Sequence, residues 1–485
     1  MLEQEERGVP WGAHGVVRAA HWDSVVDWLT HRESWGEYYH RRLAASFQHV
    51  IPKGSRIIEI GCGRGDLLAA LYPVYGVGVD LSPKMIEAAR CRHTDLCFIV
   101  ADAHDLGEIR KHQGTFDFVL LSDLVNDVWD VQRVLEEAQC LCGASGRIVL
   151  NFYSHLWEPL LKFVRYLGLA PPTLEQSWLT LDDLHQLLAL AGCEAVRHWQ
   201  EVLLPLNISL LATLANRYLA KMWPLRWLAL TNVLVARPSR RSTLAAPQSV
   251  SVIVPARNEA GNISDIFRRI PDMGTRTEIV FVEGGSTDGT YEAIETGIAA
   301  HPQRSCKLLR QAGRGKGDAV RAGFAAASGD ILMILDADLT VMPEDLPRFY
   351  KAIISGHGEF INGVRLIYPM EEEAMRFFNL LGNKFFSAVF SWLLGQPIRD
   401  TLCGTKVLWR DDYAKIASNR QRFGDFDPFG DFDLIFGAAL ISRRIVDIPI
   451  RYRARVYGDT NIQRWRNGWI LLKMVTFAAR RIKFV

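Results

Sequence analysis

"ILMILDADLT", residues 331–340, opens with five apolar residues and then sets down two carboxylates one residue apart, Asp336 and Asp338. A short apolar run bounded by turn residues reads as a buried strand of a parallel sheet. Carboxylates resist burial unless something pairs with them. Strand termination is the plain alternative, because Asp is a common turn residue. What else the chain brings to the same sheet edge decides between the two.

Three strand–loop units precede this one. "VSVIVPARNEAGNISDI" (250–266) ends a strand in Pro255 and Ala256, then gives Arg257 and Glu259 before a helix. "TEIVFVEGGSTDGTYEAI" (277–294) places Glu283 and Asp288 on either side of a Gly-Gly-Ser turn. "GRGKGDAVRAGFAAASGD" (313–330) supplies Arg314 and Lys316 in a glycine loop that leads into a helix. Strands alternating with helices read as βαβ units, and an open parallel sheet binds its ligand at the C-terminal ends of its strands. Residues i and i+2 of an extended chain face the same side, so Asp336 and Asp338 are expected to converge on one spot. Two like charges there need a cation. Mg²⁺ or Mn²⁺, hard ions that favour carboxylate and phosphate oxygens, would suit it. Arg314, Lys316 and backbone N–H groups would meet the same phosphates.

These residues resemble the family-two glycosyltransferases of GT-A fold, and more closely their dolichyl-phosphate mannose synthase branch, over about 249–462. The resemblance implies a nucleotide-sugar donor, UDP- or GDP-linked, with Pro255, Ala256, Arg257, Glu259, Glu283, Asp288, Lys316 and Asp336 at the donor and Asp336 with Asp338 at the metal. "IRDTLCGTKVL" (398–408) is similar to the branch's Asp…Ser-Gly-Phe-Arg stretch, which brings in Asp400, with Gly404 matching the glycine. "RVYGDTNI" (455–462) resembles Arg-x-x-Gly-x-Ser-Lys, so Arg455, Gly458 and Thr460 are expected at an acceptor phosphate, with Thr460 and Asn461 where the branch has Ser and Lys. Within "FGDFDPFGDFDL" (423–434), "GDFDL" resembles the Glu-Asp-x-Asp-Leu element that carries a general base, which makes Asp431 the matching candidate. A hydroxyl acceptor needs a base, whereas a phosphate is already ionised. Gln-x-x-Arg-Trp is absent in that order from "IQRWRNGW", which favours single-sugar transfer.

The first half carries a second glycine-rich turn, "RIIEIGCGRGDLLAAL" (56–71): Glu59 ends a strand, and Gly61, Gly63 and Gly65 follow at alternate positions. Glycines there permit a tight turn and close approach to a ligand at a helix N-terminus. The next strands end in Asp80, Asp102 and Asp123. An NAD-binding reading competes, but the spacing differs from GxGxxG. The pattern resembles the class I S-adenosylmethionine (SAM)-dependent methyltransferases over about 35–236. The resemblance implies that Glu59 to Gly65 cradle the methionine part, that Asp80 holds the ribose, and that Asp102 and Ala103 meet the adenine. Asp123, Asn126 and His155 are candidates for placing a methyl acceptor.

The fold expected is α/β, two doubly wound domains: a Rossmann-like methyltransferase sheet over 1–236, a linker at 237–248 within "RPSRRSTLAAPQS", and a GT-A nucleotide-sugar-binding sheet over 249–485. At 485 residues the chain is too long for one core. A net charge of +2 implies no field for nucleic acid. Eight cysteines include no CxxC spacing, which suits reduced thiols. "MLEQEERGVP" lacks the apolar core of a signal peptide. The apolar stretches 203–236 and 377–395 are broken by polar residues and fit buried or interfacial helices. The basic, Trp-bearing tail from 464 suits the headgroup region of an anionic bilayer. The expectation is therefore a bifunctional cytoplasmic enzyme, peripheral on the inner face of the membrane, with a lipid-phosphate or glycan acceptor. The alternatives are a soluble hydroxyl acceptor with Asp431 as base, and a first half that only binds SAM or scaffolds partners.

Overall fold

The structure, a computed structural model, describes residues 10–31, 34–167, 172–206, 209–239, 246–365, 377–401, 403–419, 431–451, 457 and 472–484. It divides into two compact units, Met1–Ser239 with Phe484–Val485, and Arg240–Lys483.

In the first unit the strands are β1 (Arg56–Ile60), β2 (Tyr75–Asp80), β3 (Cys97–Val100), β4 (Phe116–Leu121), β5 (Cys142–Tyr153), β6 (Cys193–Glu201) and β7 (Thr231–Pro238). They form one sheet in the order β3-β2-β1-β4-β5-β7-β6. β1 to β5 run parallel, and β7 lies antiparallel between β5 and β6. The pleat sends successive β1 residues to opposite faces. Ile58 and Ile60 join a core with Val134, Leu135 and Ala138 of the helix Val131–Leu141. Ile57 joins another with Tyr39, Leu43 and Phe47 of the helix Ser34–Val50. Strand order reverses between β1 and β4, which opens a crevice beside the glycine turn. β7 runs to Pro238, two residues into the run expected to be linker.

The second unit holds β8 (Val250–Ala256), β9 (Thr277–Glu283), β10 (Ser305–Arg310), β11 (Ile331–Ile334), β12 (Phe360–Val364), β13 (Lys406–Trp409) and β14 (Ile445–Pro449). Their order is β10-β9-β8-β11-β13-β12-β14. β8 to β11 are parallel, β13 is antiparallel to both β11 and β12, and β14 runs parallel to β12. The opening stretch must be apolar throughout because both its faces are covered. Ile331 and Met333 pack with Ile263, Ile266 and Phe267 of the helix Ala260–Arg269. Leu332 and Ile334 pack with Phe390 and Leu394 of the helix Phe377–Leu394.

One local expectation changes. β11 stops at Ile334, so Asp336 and Asp338 lie on a turn beyond the strand rather than on extended chain. The Leu335 N–H still reaches the Ile253 carbonyl at 3.0 Å, but the Leu339 N–H turns back to the Asp336 carbonyl at 3.2 Å. The alternation of a strand therefore does not set the facing of the two carboxylates. β11 pairs with β13 only over Ile331–Met333, and the chain is released to turn once that ladder ends. No described helix is long and apolar enough to cross a membrane. In the tail, Met474 and Ala478 are buried in the second unit's core.

Candidate functional site

The second unit gathers its polar groups at the C-terminal ends of β8, β9 and β11. Asp288 organises the first two loops. Its Oδ2 accepts from the Ala260 N–H at 3.1 Å and the Tyr457 hydroxyl at 3.2 Å. Its Oδ1 accepts from the Thr290 N–H at 3.1 Å and from the Thr290 hydroxyl. Burial alone would raise its pKa, but these donors hold it below the usual carboxylate value. A carboxylate has about four acceptor positions, and all four are used. Asp288 thus caps two helices and ties Tyr457 to them, which is a positioning role at the expected donor pocket.

Asn258, with φ +57°, donates its N–H to the Ser286 hydroxyl at 3.0 Å and accepts from the Thr287 N–H at 2.9 Å. Those bonds lock the two loops together. Glu283 is buried and accepts from the Ser286 N–H at 2.5 Å. Glu259 is buried and bonded to Asn262 at 2.7 Å. Ala256 is buried and its carbonyl accepts from Gly284 at 2.9 Å, whereas Arg257 is exposed beside the half-buried Pro255.

Lys316 opens the helix Lys316–Ala326 and puts its Nζ 2.6 Å from Asp336 Oδ1. Asp338 Oδ1 accepts from the Thr340 N–H at 3.1 Å and its hydroxyl at 2.8 Å. Gly404 closes this space: a Cβ there would overlap both the Asp336 carboxylate and the Lys316 ammonium. The Asp336 carboxylate, the Lys316 ammonium and a floor kept bare of side chain thus share one space, a hard oxygen donor beside a cation of the kind that meets phosphate.

Asp400, expected among the catalytic residues, is corrected to a positioning residue. It is fully buried and held by the Arg365 guanidinium at 2.8 and 2.9 Å, by the Arg365 N–H at 3.0 Å and by Asn383 at 2.8 Å. Burial opposes its charge, yet the guanidinium and the hydrogen bonds hold its pKa at about 2. Such a carboxylate neither takes a proton near neutrality nor meets a substrate. It anchors the chain that presents Gly404. Asp431 begins the helix Asp431–Leu440, and its side chain lies outside the described residues, as do Arg455, Gly458 and Thr460.

In the first unit Gly61, Gly63 and Gly65 adopt φ of +75°, +50° and +75°, the left-handed region open to glycine. The space where a Gly63 Cβ would point is open. Asp80 Oδ2 accepts from the Gly63 N–H at 2.8 Å, and its Oδ1 from the Ser82 N–H at 2.9 Å. Glu59 is buried, and its Oε2 has no hydrogen-bond partner. Burial raises its pKa well above the ordinary value. An orphaned buried oxygen beside a glycine cradle fits a ligand that brings a donor. Asp102 meets His104 Nδ1 at 2.5 Å, and the His104 Nε2 accepts from the Asp130 N–H at 3.2 Å. Ala103 is half-buried beside them.

Asp123 has φ +53° and accepts from the Tyr39 hydroxyl at 2.7 Å and from Asn151 at 2.5 Å. Burial raises its pKa despite these donors. Asn126 is corrected to a loop brace: it donates to the Ser177 carbonyl at 2.7 Å and accepts from the Tyr153 N–H at 3.2 Å. His155 is exposed, 3.6 Å from Glu158.

Sequence reasoning missed Tyr39 and Asn151 around Asp123, and Arg365 on Asp400. It also missed the helix Pro10–His31. That helix is pinned over the loops by an Arg18–Asp127 ion pair, by Trp22 to Asp127 at 2.8 Å and by Ser82 to Asp23 at 2.5 Å. No local signal marks these partners, because each lies tens of residues away in the chain.

Residues 251–446 match the model of glycosyl transferase family 2, and residues 30–198 match that of a methyltransferase domain. The chain joins these two domains. A glycosyltransferase of Haloferax volcanii, AglJ, is 29% identical over 230 residues, which are 47% of this chain and 71% of that protein. The dolichol-phosphate mannosyltransferase of Pyrococcus furiosus is 27% identical over 222 residues, 44% of this chain and 59% of that protein, so less than two thirds of it is spanned. A solved SAM-dependent methyltransferase of Thermotoga maritima is 19% identical with a TM-score of 0.34, covering 45% of this chain and 99% of that one.

Two outcomes are expected from the geometry. In the glycosyl transferase domain, Gly404→Ala should lower sugar transfer by about 10²-fold, the cost of displacing site groups by about an ångström. It should leave thermal unfolding nearly unchanged, because what shifts are the ends of Asp336 and Lys316 rather than core atoms. Steady-state kinetics beside a melting curve would check both. In the methyltransferase domain, Asp80→Asn should weaken SAM binding about 10- to 100-fold, the scale of one charge-assisted hydrogen bond. Isothermal titration would read it.

Proposed function

We propose that the glycosyl transferase domain moves one sugar from a nucleotide sugar to a lipid phosphate, and that the methyltransferase domain uses SAM on the same glycan or glycolipid. The observation that carries the first reading is the space shared by Asp336, Lys316 and Gly404 at the sheet's C-terminal edge, with Asp338 two residues on along the same turn. The lipid phosphate rests on the likeness to a dolichol-phosphate mannosyltransferase. The orphaned Glu59 oxygen beside the three left-handed glycines supports SAM.

Asp336 and Asp338 would hold Mg²⁺ or Mn²⁺, which offsets the charge on the departing nucleoside diphosphate. Lys316 adds positive charge at the same place, and Gly404 leaves room for the diphosphate oxygens. The loops fixed by Asp288 and Asn258 hold Glu283 and Glu259 at the nucleoside. The acceptor phosphate is already ionised, so Asp431 orders the acceptor loop and removes no proton. In the first domain Glu59 accepts from the ammonium of the methionine part and Asp80 from the ribose. Methyl transfer is an in-line displacement, so Asp123, fixed by Tyr39 and Asn151, contributes alignment of the acceptor.

The test is to incubate the chain with Mg²⁺ or Mn²⁺, polyprenyl phosphate and radiolabelled UDP- and GDP-sugars, and to count label in the organic phase. Asp338→Asn serves as the blank, and Asp431→Asn should retain transfer. Donor breakdown without lipid label would overturn the lipid acceptor and leave a soluble hydroxyl. Methyl transfer only to protein or nucleic acid would overturn the shared pathway.

A further inference from the structure

The stretch that follows β6 in the first unit folds with its apolar side outward. In the helix Ser209–Arg217 and the turns after it, the buried residues are Ala212, Asn216, Ala220 and Lys221. Asn216 faces inward to accept from the Leu203 and Leu204 N–H groups at 2.7 and 2.8 Å, and Lys221 pairs with Glu201 at 3.1 Å. The large side chains point the other way: Leu210 is 72% exposed, Leu211 61%, Trp223 69% and Trp227 57%. A surface helix ordinarily does the reverse.

The face continues. Trp157 donates to the Leu228 carbonyl at 2.8 Å and so ties in the helix Glu158–Tyr166. That helix exposes Leu160, Phe163 and Tyr166 at threefold spacing. An apolar surface this extended marks an interaction site.

Its charges say with what. No Asp or Glu occurs between Glu201 and Glu259. Arg217 is exposed, and Arg165 and Arg226 are half-buried, within these same segments, and no ion pair is seen for the three among the described residues. Arg165 bonds the Gln176 side-chain oxygen at 2.9 Å and Arg217 the Phe484 carbonyl at 3.0 Å, both neutral acceptors. Glu158, the acid within the first helix, is paired with Lys162 at 2.7 Å, so cations outnumber unpaired acids there; apolar bulk, Trp and Tyr with such a charge excess are what the surface of an anionic bilayer takes up. We propose that residues 156–167 and 210–228 of the methyltransferase domain form a membrane-docking face for anionic lipid. This goes beyond the proposed lipid acceptor, which concerns the other unit.

The experiment is flotation of the full chain with vesicles of phosphatidylcholine alone and of phosphatidylcholine mixed with phosphatidylglycerol, neither containing polyprenyl phosphate. The glycosyl acceptor therefore plays no part in the readout. Binding is expected with the anionic vesicles, weakened by salt. It should fall more than about tenfold in Leu211→Glu/Trp223→Ser, which removes two exposed apolar side chains that would enter the bilayer. Both positions are exposed, and an unchanged melting curve would show the variant folded. Arg217→Gln/Arg226→Gln should lose the preference for anionic lipid and keep the fold. Unchanged flotation of the first variant, or no binding of the parent to either vesicle, overturns the proposal. So does a dimer by light scattering that the same variant makes monomeric, for the face would then bind a second copy. Lost sugar transfer with flotation intact would count against the lipid-phosphate acceptor alone.

Discussion

Asp336→Asn is expected to lower sugar transfer by about 10³-fold in kcat, the scale on which preorganised charge at a reacting centre acts. The side chain keeps its shape and loses its charge. The Lys316 ammonium, 2.6 Å away, then faces a neutral amide in place of a carboxylate. With less negative charge to hold a divalent ion, the concentration of Mn²⁺ needed for half activity should rise as well. Because Asp336 lies on a turn beyond β11 and is only half-buried, thermal unfolding should move little. A kinetic loss with no shift in unfolding would separate the site from the fold. Equal losses in both would mean that the Lys316–Asp336 pair is structural.

Arg365→Met should do the opposite and unfold the second unit early. It leaves Asp400 fully buried without the guanidinium that holds its charge, with the Asn383 amide still bonded to it at 2.8 Å. Removing one partner of a buried ion pair costs roughly 3–5 kcal/mol, about 10 °C for a unit of this size. The parent should show the matching acid response. The folded pKa of Asp400 is about 2, below the value near 3.9 of an unfolded Asp. Its ionised form is therefore stabilising above about pH 4, and that stabilisation disappears as pH falls towards 2. Melting curves across this window should steepen their decline in the parent. In Arg365→Met they should decline less, since Asp400 then no longer gains from being charged. An identical acid profile in both chains would remove Asp400 from the account.

The chain's own chemistry shows where its strands lie and which end of them matters. β11 is legible because both its faces are covered, which forces consecutive apolar residues that end abruptly in polar ones, whereas β1 runs one residue past Glu59 to Ile60 and buries that carboxylate within the strand. Gly61, Gly63 and Gly65 are legible because only a backbone free of Cβ adopts their left-handed φ without strain. Asp80 could be named because a carboxylate one strand on from a glycine turn meets that turn, as its bond to the Gly63 N–H does. These are local relations, or relations between neighbouring strands, and they repeat at short spacing.

What only the tertiary structure decided lies between distant segments. Asp288 and Tyr457 are 169 residues apart, Arg18 and Asp127 109. Nothing near Asp400 in sequence announces that Arg365 will close on it and turn an expected catalytic group into a buried anchor. The turn at Asp336 depends on how far β13 extends alongside β11, which the run "ILMILDAD" does not encode. The apolar stretch 203–236 reads as buried or interfacial helices, yet only Ser209–Arg217 is α-helical and residues from Thr231 on form β7; nor does the pattern say which side of the helix faces the protein. That followed from Asn216 and Lys221, whose polar atoms had to be satisfied inside and so turned the leucines and tryptophans to the surface. Sequence determined the two sheets, their order of use and the residues at their working edges. The assembled chain decided which of those residues are free to meet a ligand, because that depends on which polar groups the protein itself has already satisfied.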